Sequence, residues 1–243
     1  MRVAVFVDAH AHAEALEAVL AAAGGVDELW SLGDMVGTGP DPVHVVARTR
    51  ELCRIALLGN HDYLALRDGE ANPSIEHARA ALDDDALAWM RSRKPAATVR
   101  RAADEIAARE GEPLGEPSQR REPAGRVVAQ MWHGGPHNAV HEFVGPRNAA
   151  ACLERQRAPL GLVGHTHVPA AFHDGTRRVR ITFGEPLDIG TGKWLLNPGA
   201  VFMPTGVAHW LLLDLGAHTA TWMTTPFDPA PAAERARRLG FAL

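Results

Sequence analysis

The chain has 243 residues, of which 46% are hydrophobic and 22% are charged, and its formal net charge at pH 7 is −4. A chain of this length and composition can bury one substantial core, so we expect a single domain over residues 1–243. The acidic balance argues against non-specific nucleic-acid binding, which depends on a positive field.

The N-terminal quarter alternates short apolar strands with helices. Arg2–Val7 is a valine-rich run typical of a buried strand, and Ala13–Ala23 has apolar residues at helical spacing. The alternation continues through a strand, a helix and a strand at Glu28–Leu32, Pro42–Glu51 and Arg54–Leu58. Such βαβ units predict parallel strands with right-handed crossovers, which bring the ends of successive strands to one edge of a sheet.

Polar residues follow these three strands at regular spacing. Asp8, Asp34 and Asn60 are each 26 positions apart (34 − 8 and 60 − 34), about one strand-helix unit. His10 and His61 lie beside the first and the third. We therefore expect these side chains to become neighbours at the sheet edge, with Asp34 in the centre.

The middle of the chain contains a segment of different composition. After two predicted helices in Pro73–Ser92, Arg100–Gly125 mixes both charges with Pro and Gly and has almost no large apolar residue. It cannot contribute much core. It is either a flexible surface insertion or a lid over the site, since long loops in compact domains are of these two kinds.

The C-terminal half resumes the strand pattern and adds histidines. Strands at Arg126–Met131 and Leu160–Val163 lead to His133 and to His165 and His167, with a helix predicted at Asn148–Arg157. The short later strands between Ala170 and Met223 suggest an antiparallel second sheet. The chain ends in a predicted short helix within Pro229–Leu243.

Asp, Asn and His side chains without cysteine form a donor set suited to Mn²⁺, Fe, Zn²⁺ or Ni²⁺. A carboxylate can bridge two cations through its two oxygens. Two cations held about 3.5–4 Å apart polarise a phosphoryl group and lower the pKa of a shared water. The donor set therefore predicts metal-assisted hydrolysis of a phosphoester.

Five motifs in order, D-A-H, G-D-M-V-G, G-N-H-D, H-G-G-P and G-H-T-H, resemble those of the calcineurin-like metallophosphoesterases, in particular the small bacterial phosphodiesterase-like members. The resemblance covers almost all of the chain outside Arg100–Gly125. It implies an α/β fold, a two-sheet αββα sandwich of mixed strands flanked by helices, with a two-metal site at the strand ends.

The resemblance also implies a ligand set for two divalent or trivalent ions, with Mn most expected and Fe, Zn or Ni as alternatives. Asp34 is the implied bridge between them. The first ion would be held by Asp8, His10, Asp34 and His167, and the second by Asp34, Asn60, His133 and His165.

His61 matches the general acid of the family, which as imidazolium would protonate the leaving alkoxide while a metal-bridging hydroxide attacks phosphorus. Asp62 is placed to support its charge. We expect the backbone amides of Gly59, Gly134 and Gly135 to meet phosphate oxygens. His12 is either a solvated residue at the start of a helix or a substrate contact. Asn197-Pro198-Gly199 is interpreted as a structural turn near the site.

The leading hypothesis is hydrolysis of a small phosphodiester, with cyclic nucleotides among the candidates, or of a phosphomonoester. Alternatives are a protein-binding scaffold of the same fold, a nuclease and a dinucleoside polyphosphate hydrolase. Gly37-Thr38-Gly39 stands where the last of these has Asp-Arg-Gly, which weakens that reading. The expected partner is a small phosphoester, not nucleic acid or a membrane, and a second copy of the chain is a further candidate.

The two cysteines, Cys53 and Cys152, are expected to be reduced core thiols rather than a disulfide. No apolar run approaches the about 18 residues that span a bilayer, and the N-terminal run is too short for a signal peptide. These features favour a cytoplasmic protein.

Overall fold

The computed structural model describes residues 1–69, 71–101, 126–174 and 178–241. These residues form two mixed six-stranded sheets. The first sheet contains β1 (Arg2–Phe6), β2 (Glu28–Ser31), β3 (Ile55–Ala56), β9 (Pro186–Asp188), β11 (Val207–Asp214) and β12 (Thr219–Pro226). The second contains β4 (Ala96–Arg101), β5 (Arg126–Trp132), β6 (Leu160–Leu162), β7 (Ala170–His173), β8 (Arg178–Val179) and β10 (Trp194–Asn197).

The sheets pack on each other and carry helices on their outer faces. Val5 and Trp30 of the first sheet share a buried cluster with Met131 and Leu162 of the second. The helices are α1 (Ala13–Ala22), α2 (Pro42–Leu52), α3 (Asn60–Ala65), α4 (Pro73–Ala81), α5 (Asp84–Arg91), α6 (Ala149–Arg155) and α7 (Ala230–Arg238). Helices α1, α2, α4 and α5 pack on the first sheet, and α6 packs on the second. This confirms the predicted αββα sandwich.

The order in the first sheet is β3-β2-β1-β11-β12-β9, and in the second β4-β5-β6-β10-β7-β8. Strands β1, β2 and β3 run parallel, as the βαβ pattern predicts, and so do β5, β6 and β10. The ends of the parallel strands in the two sheets thus face one common edge.

The prediction that the late strands form an antiparallel second sheet is right only in part, because β7 pairs antiparallel with β8 and β10 there, but the same sheet contains the parallel strands β5 and β6. Strands β11 and β12 join the first sheet beside β1, where Leu211 pairs with Val5, whereas β7, β8 and β10 join β5 and β6 in the second. Alternation of apolar residues shows which face of a strand is buried but not which strand lies beside it, because both sheets bury the same kind of face.

The predicted insertion at Arg100–Gly125 begins too early, because its first two residues lie in a strand. Arg100 and Arg101 belong to strand β4, which pairs with β5 across a bulge after Val99. Residues 102–125 lie outside the described part of the chain. Among the helices that are described, none is both long and apolar enough to cross a bilayer.

Candidate metal centre

The loops that follow the parallel strands are hydrogen-bonded to each other at the shared edge. The Asp8 amide donates to Gly33 O at 3.1 Å, the His10 amide to Asp34 O at 2.9 Å, and the Gly164 amide to His133 O at 2.8 Å. These backbone bonds join the end of β1 to that of β2 in one sheet and the end of β5 to that of β6 in the other, and the four ends carry six of the seven predicted ligands.

The seven predicted ligand residues form one cluster. Their metal-binding atoms fall into two groups, Asp8 with His10 and His167, and Asp34 with His133 and His165, each within 4.8 Å. A third group, His10 with Asp34 and His61, overlaps both. His10 Nε2 lies 3.0 Å from His167 Nε2, and His167 Nε2 lies 3.7 Å from Asp8 Oδ2. Asn60 Oδ1 lies 3.0 Å from His133 Nε2, which adds the seventh residue to the second group.

Asp34 lies between the two groups. Its Oδ2 is 3.8 Å from His10 Nε2 and 3.5 Å from His133 Nε2. The same oxygen therefore faces one histidine of the first group and one of the second. Its Oδ1 accepts a hydrogen bond from the His61 amide at 2.9 Å, which fixes the carboxylate. Gly59 packs so tightly on this carboxylate that any Cβ at position 59 would collide with it.

The backbone is strained where the ligands lie. Among the described residues, seven non-glycine residues have positive φ, and six of them belong to the site loops. The six are Asp8, His10, Ala11, Asp34, His165 and His167. Such conformations cost about 1–3 kcal/mol each and concentrate at functional sites. The fold therefore maintains these loops at an energetic cost.

The electrostatics of the cluster suit cations. Burial raises the pKa of Asp8 well above its ordinary value, which the His165 amide offsets only in part. Burial and the neighbouring Asp8 likewise raise the pKa of Asp34. Neither side-chain oxygen of Asp8 has a hydrogen bond of normal geometry within the described residues. A buried carboxylate without a partner is costly unless a cation lies against it, so the residues fit the divalent ions that the sequence predicts.

The histidines are neutral imidazoles ready to act as ligands. Burial and neighbouring histidines lower the pKa of His133 to about 3 and that of His165 to about 4. His133 Nδ1 lies 2.9 Å from Leu32 O, so that nitrogen carries the proton and donates, leaving the Nε2 lone pair directed at Asp34 and Asn60.

His61 and Asp62 have separate surroundings, contrary to the expected pairing. Asp62 is fully buried, and its carboxylate accepts hydrogen bonds from the Val36 and Gly59 amides at 3.1 and 2.9 Å. His61 Nδ1 is buried without a partner among the described residues, and the His61 ring packs against His10 at 4.7 Å. Burial and the nearby His167 lower the pKa of His61, which disfavours the expected imidazolium form. Asp62 thus joins the Asp34 and Gly59 loops through their backbone amides, and in the described structure its carboxylate makes no hydrogen bond to the His61 ring.

The three glycine amides that were expected to contact phosphate donate to acceptors of the protein instead. The Gly134 and Gly135 amides donate to Ala139 O and Asn138 O at 2.8 and 3.0 Å, and the Gly59 amide donates to Asp62. Each glycine N–H is thus already used inside its own turn. A glycine-rich turn in a sequence does not show whether its amides point inward or outward.

His12 is not the solvated residue that one interpretation expected. It is 1% exposed, and its ring stacks on Phe202 with centroids 3.3 Å apart. Its Nε2 lies 3.3 Å from Thr38 Oγ1. Burial and the charge of Arg235 lower the pKa of His12 to about 3. The ring therefore packs on Phe202 and lies beside Thr38 in the glycine-rich turn after Asp34.

Two residues near the site have roles that motif reading did not assign. The Asn197 side-chain amide donates to Gly164 O at 2.9 Å and to Thr166 Oγ1 at 3.0 Å, which braces the loop of His165 and His167 and agrees with a structural turn at Asn197-Pro198-Gly199. Phe143 is 65% exposed, and its ring lies 4.1 Å from that of His165. A lone exposed aromatic gives no signal in the sequence.

The fold and the motifs agree with comparisons to known proteins. A metallophosphoesterase from Sphaerobacter thermophilus superposes with a TM-score of 0.81 at 28% identity, over 99% of this chain and 95% of its own. A hypothetical protein from Pyrococcus horikoshii shares the fold with a TM-score of 0.70 at 14% identity, over 98% of this chain and 92% of its own. An uncharacterised protein of Methanocaldococcus jannaschii is 41% identical over 63 residues, which cover 25% of this chain and only 26% of that protein.

Residues 1–217 match the calcineurin-like phosphoesterase superfamily domain. Membership of this family and the His/Asp cluster together indicate divalent metal ions. The chain therefore belongs to the calcineurin-like phosphoesterase superfamily.

Proposed function

We propose that this protein is a two-metal phosphoesterase that hydrolyses a small phosphodiester or phosphomonoester at the cluster around Asp34. The single observation that carries the proposal is the position of Asp34, whose Oδ2 lies within 3.8 Å of His10 and 3.5 Å of His133 from opposite halves of the cluster. Asp8, His10 and His167 would hold one ion, Asn60, His133 and His165 the other, and Asp34 both.

The chain's own residues divide the remaining work. When bound, two divalent ions polarise a phosphoryl group and lower the pKa of a shared water. His61, a half-buried residue whose ring packs against that of His10, donates the proton to the departing oxygen. Its lowered pKa makes the protonated His61 ring a stronger acid, and it also means that fewer molecules carry that proton at neutral pH. The contribution of His61 is greatest for leaving groups that need a proton. Asp62 and Asn197 position the ligand loops through backbone hydrogen bonds.

The finer expectations are part of the same proposal. Mn²⁺ is the ion expected from the resemblance to the family, and the carboxylate, amide and imidazole donors suit Fe, Zn²⁺ or Ni²⁺ as well. A cyclic nucleotide is one candidate diester. The cytoplasmic location and a homodimer remain predictions, and light scattering on the purified chain tests the second.

The test begins with protein stripped of metal and reloaded separately with Mn²⁺, Fe²⁺, Zn²⁺ or Ni²⁺. Turnover is measured with bis-(p-nitrophenyl) phosphate, then with 2′,3′-cyclic nucleotides, 3′,5′-cyclic nucleotides, nucleotides and sugar phosphates. We expect metal-dependent hydrolysis of at least one ester, abolished in Asp34→Asn. Absence of turnover with every ion and ester would refute the proposal.

A further inference from the structure

Three further side chains with metal-binding atoms meet outside the centre around Asp34. His137 and Glu142 lie in the loop after β5, and Cys152 lies on α6. His137 Nδ1 is 3.1 Å from Glu142 Oε1, Cys152 Sγ is 3.2 Å from the same oxygen, and Sγ and Nδ1 are 3.9 Å apart. We call this group the Cys152 cluster. It includes the chain's one fully buried cysteine and none of the ligands assigned above.

Hydrogen bonds alone do not account well for the surroundings of Glu142 Oε1. Besides His137 Nδ1 and Cys152 Sγ, the Asn148 side-chain amide donates to it at 3.1 Å. Three neighbours thus converge on one carboxylate oxygen, which offers about two lone-pair sites. The other oxygen, Oε2, accepts from the amides of His137 and Asn138 at 2.8 and 3.3 Å, which fixes the carboxylate so that Oε1 faces the sulfur and the imidazole.

The three separations match the edges of a tetrahedral zinc site. Bonds of about 2.0–2.3 Å to O, N and S at tetrahedral angles place the ligand atoms roughly 3.3–3.6 Å apart. The measured separations of 3.1, 3.2 and 3.9 Å bracket that range. Little movement is therefore needed to seat an ion between the three atoms.

We propose that the Cys152 cluster binds a Zn²⁺-type divalent ion through His137 Nδ1, Glu142 Oε1 and Cys152 Sγ, with solvent as the fourth ligand. A thiolate, an imidazole and a carboxylate together favour a borderline ion such as Zn²⁺ over Mg²⁺ or Ca²⁺. The His137 side chain is 45% exposed, so the cluster opens to water on that side, while Glu142 is 12% exposed.

Binding of the divalent ion leaves the charges of the Cys152 cluster balanced and releases one proton. Without the ion, Cys152 keeps its proton and donates it to Glu142, because burial and the Glu142 carboxylate raise the pKa of the thiol to about 12. When the metal–sulfur bond forms, that proton leaves to solvent, since a coordinating thiol is deprotonated. The thiolate and the Glu142 carboxylate then neutralise the 2+ charge. Release of one proton makes the apparent affinity rise about tenfold per pH unit near neutrality.

An ion at this position would fasten the loop after β5 to α6. That loop begins at His133 and carries Phe143 beside His165. The Cys152 cluster would therefore stabilise the loop without touching the substrate. The proposal does not depend on the phosphoesterase activity.

Co²⁺ titration of the metal-stripped full-length protein, with a phosphine reductant in place of a thiol, tests the proposal. A thiolate bound to Co²⁺ gives a near-ultraviolet sulfur-to-metal charge-transfer band, which imidazole, amide and carboxylate ligands do not produce. We expect the band in the wild type and in Cys53→Ser, and its loss in Cys152→Ser. Cys53 is the matched control because it is the other cysteine of the chain and packs in a different cluster, against the helices of the first sheet.

His137→Ala supplies a variant at an exposed position if Cys152→Ser misfolds. It should raise the Co²⁺ concentration needed for half of the band by at least about 10- to 100-fold, because loss of a ligand costs no less than loss of a residue that only supports one. No band in the wild type at saturating Co²⁺, a band retained in Cys152→Ser, or an unchanged midpoint in His137→Ala would each overturn the proposal. The charge-transfer band does not depend on phosphoesterase turnover. Failure of the proposed function can therefore be distinguished from failure of the metal site at the Cys152 cluster.

Discussion

The Nε2 atoms of His10 and His167 lie 3.0 Å apart, although 157 positions separate the two residues in the chain. Burial lowers the pKa of both imidazoles, so two neutral rings meet, with Asp8 Oδ2 3.7 Å from His167 Nε2. Neutral nitrogen atoms and a carboxylate converge in this way where they share a cation. The contact defines the first half of the proposed centre.

Removal of ligands from one half should empty that half alone. His167→Ala should lose the ion near Asp8, and Asn60→Ala the ion near His133, so that each variant retains about one of the two ions. Metal content after equilibration with limiting Mn²⁺ and gel filtration, measured by mass spectrometry, checks this. Loss of both ions in both variants would mean that the halves do not bind independently.

His61 should matter in proportion to the need of the leaving group for a proton. His61→Gln should lower kcat for an alkyl phosphodiester by about 10²- to 10⁴-fold and change kcat for bis-(p-nitrophenyl) phosphate much less, because nitrophenolate leaves unprotonated. Burial and His167 lower the pKa of His61. Only the protonated ring donates, so the wild-type advantage should fall as pH rises through a value below 6.5.

The control for this comparison is metal content. His61 lies within 4.8 Å of ligand atoms of His10 and Asp34. If His61→Gln loses an ion, or loses activity equally with both esters, His61 acts as a ligand and not as the proton donor.

Asp62 should act through the backbone. Asp62→Ala leaves the Val36 and Gly59 amides without their acceptor in a fully buried position, which should lower the free energy of unfolding by about 1–3 kcal/mol for each amide. Urea denaturation of the metal-free protein measures this. Asp62→Asn retains one acceptor oxygen and should lose less. A loss of activity in Asp62→Ala without a change in stability would instead support the original pairing with His61.

Phe143 should contribute to binding of aromatic esters. Its exposed ring beside His165 offers a stacking surface at the edge of the cluster. Phe143→Ala should raise KM for bis-(p-nitrophenyl) phosphate by about fivefold, equivalent to about 1 kcal/mol of aromatic contact, and leave KM for an alkyl diester unchanged. Phe183→Ala is the matched control, because Phe183 is also exposed and also lies against a histidine, His209. Equal effects of the two variants would contradict a stacking role.

The sequence predicted the parallel part of the fold because βαβ units leave a distinct local pattern. The run Arg2–Val7 and the helix after it were placed within one residue of β1 and α1. Strands β11 and β12 were assigned to the wrong sheet because pairing such as Leu211 with Val5 joins segments about 200 positions apart, and no local pattern encodes it. The sequence did not predict strand β4, because Ala96–Arg101 contains mainly small and charged residues and lacks a run of large apolar ones.

The motifs also predicted which side chains would gather. They could not predict the contacts behind those side chains. Whether Asp62 faces His61 or the Gly59 amide depends on the orientation of its side chain in the first turn of α3, and whether His12 is solvated depends on Phe202, which lies 190 positions away. The Cys152 cluster joins residues 15 positions apart whose spacing matches no familiar metal motif.

The bridging position of Asp34 is the central claim, and the metal content of Asp34→Asn tests it most directly. The substitution keeps the size of the side chain and one oxygen, and the fold should survive it. After the same equilibration with limiting Mn²⁺, we predict that both ions of the centre are lost together, while His167→Ala and Asn60→Ala each lose one. Retention of either ion at wild-type affinity in Asp34→Asn would contradict the bridge.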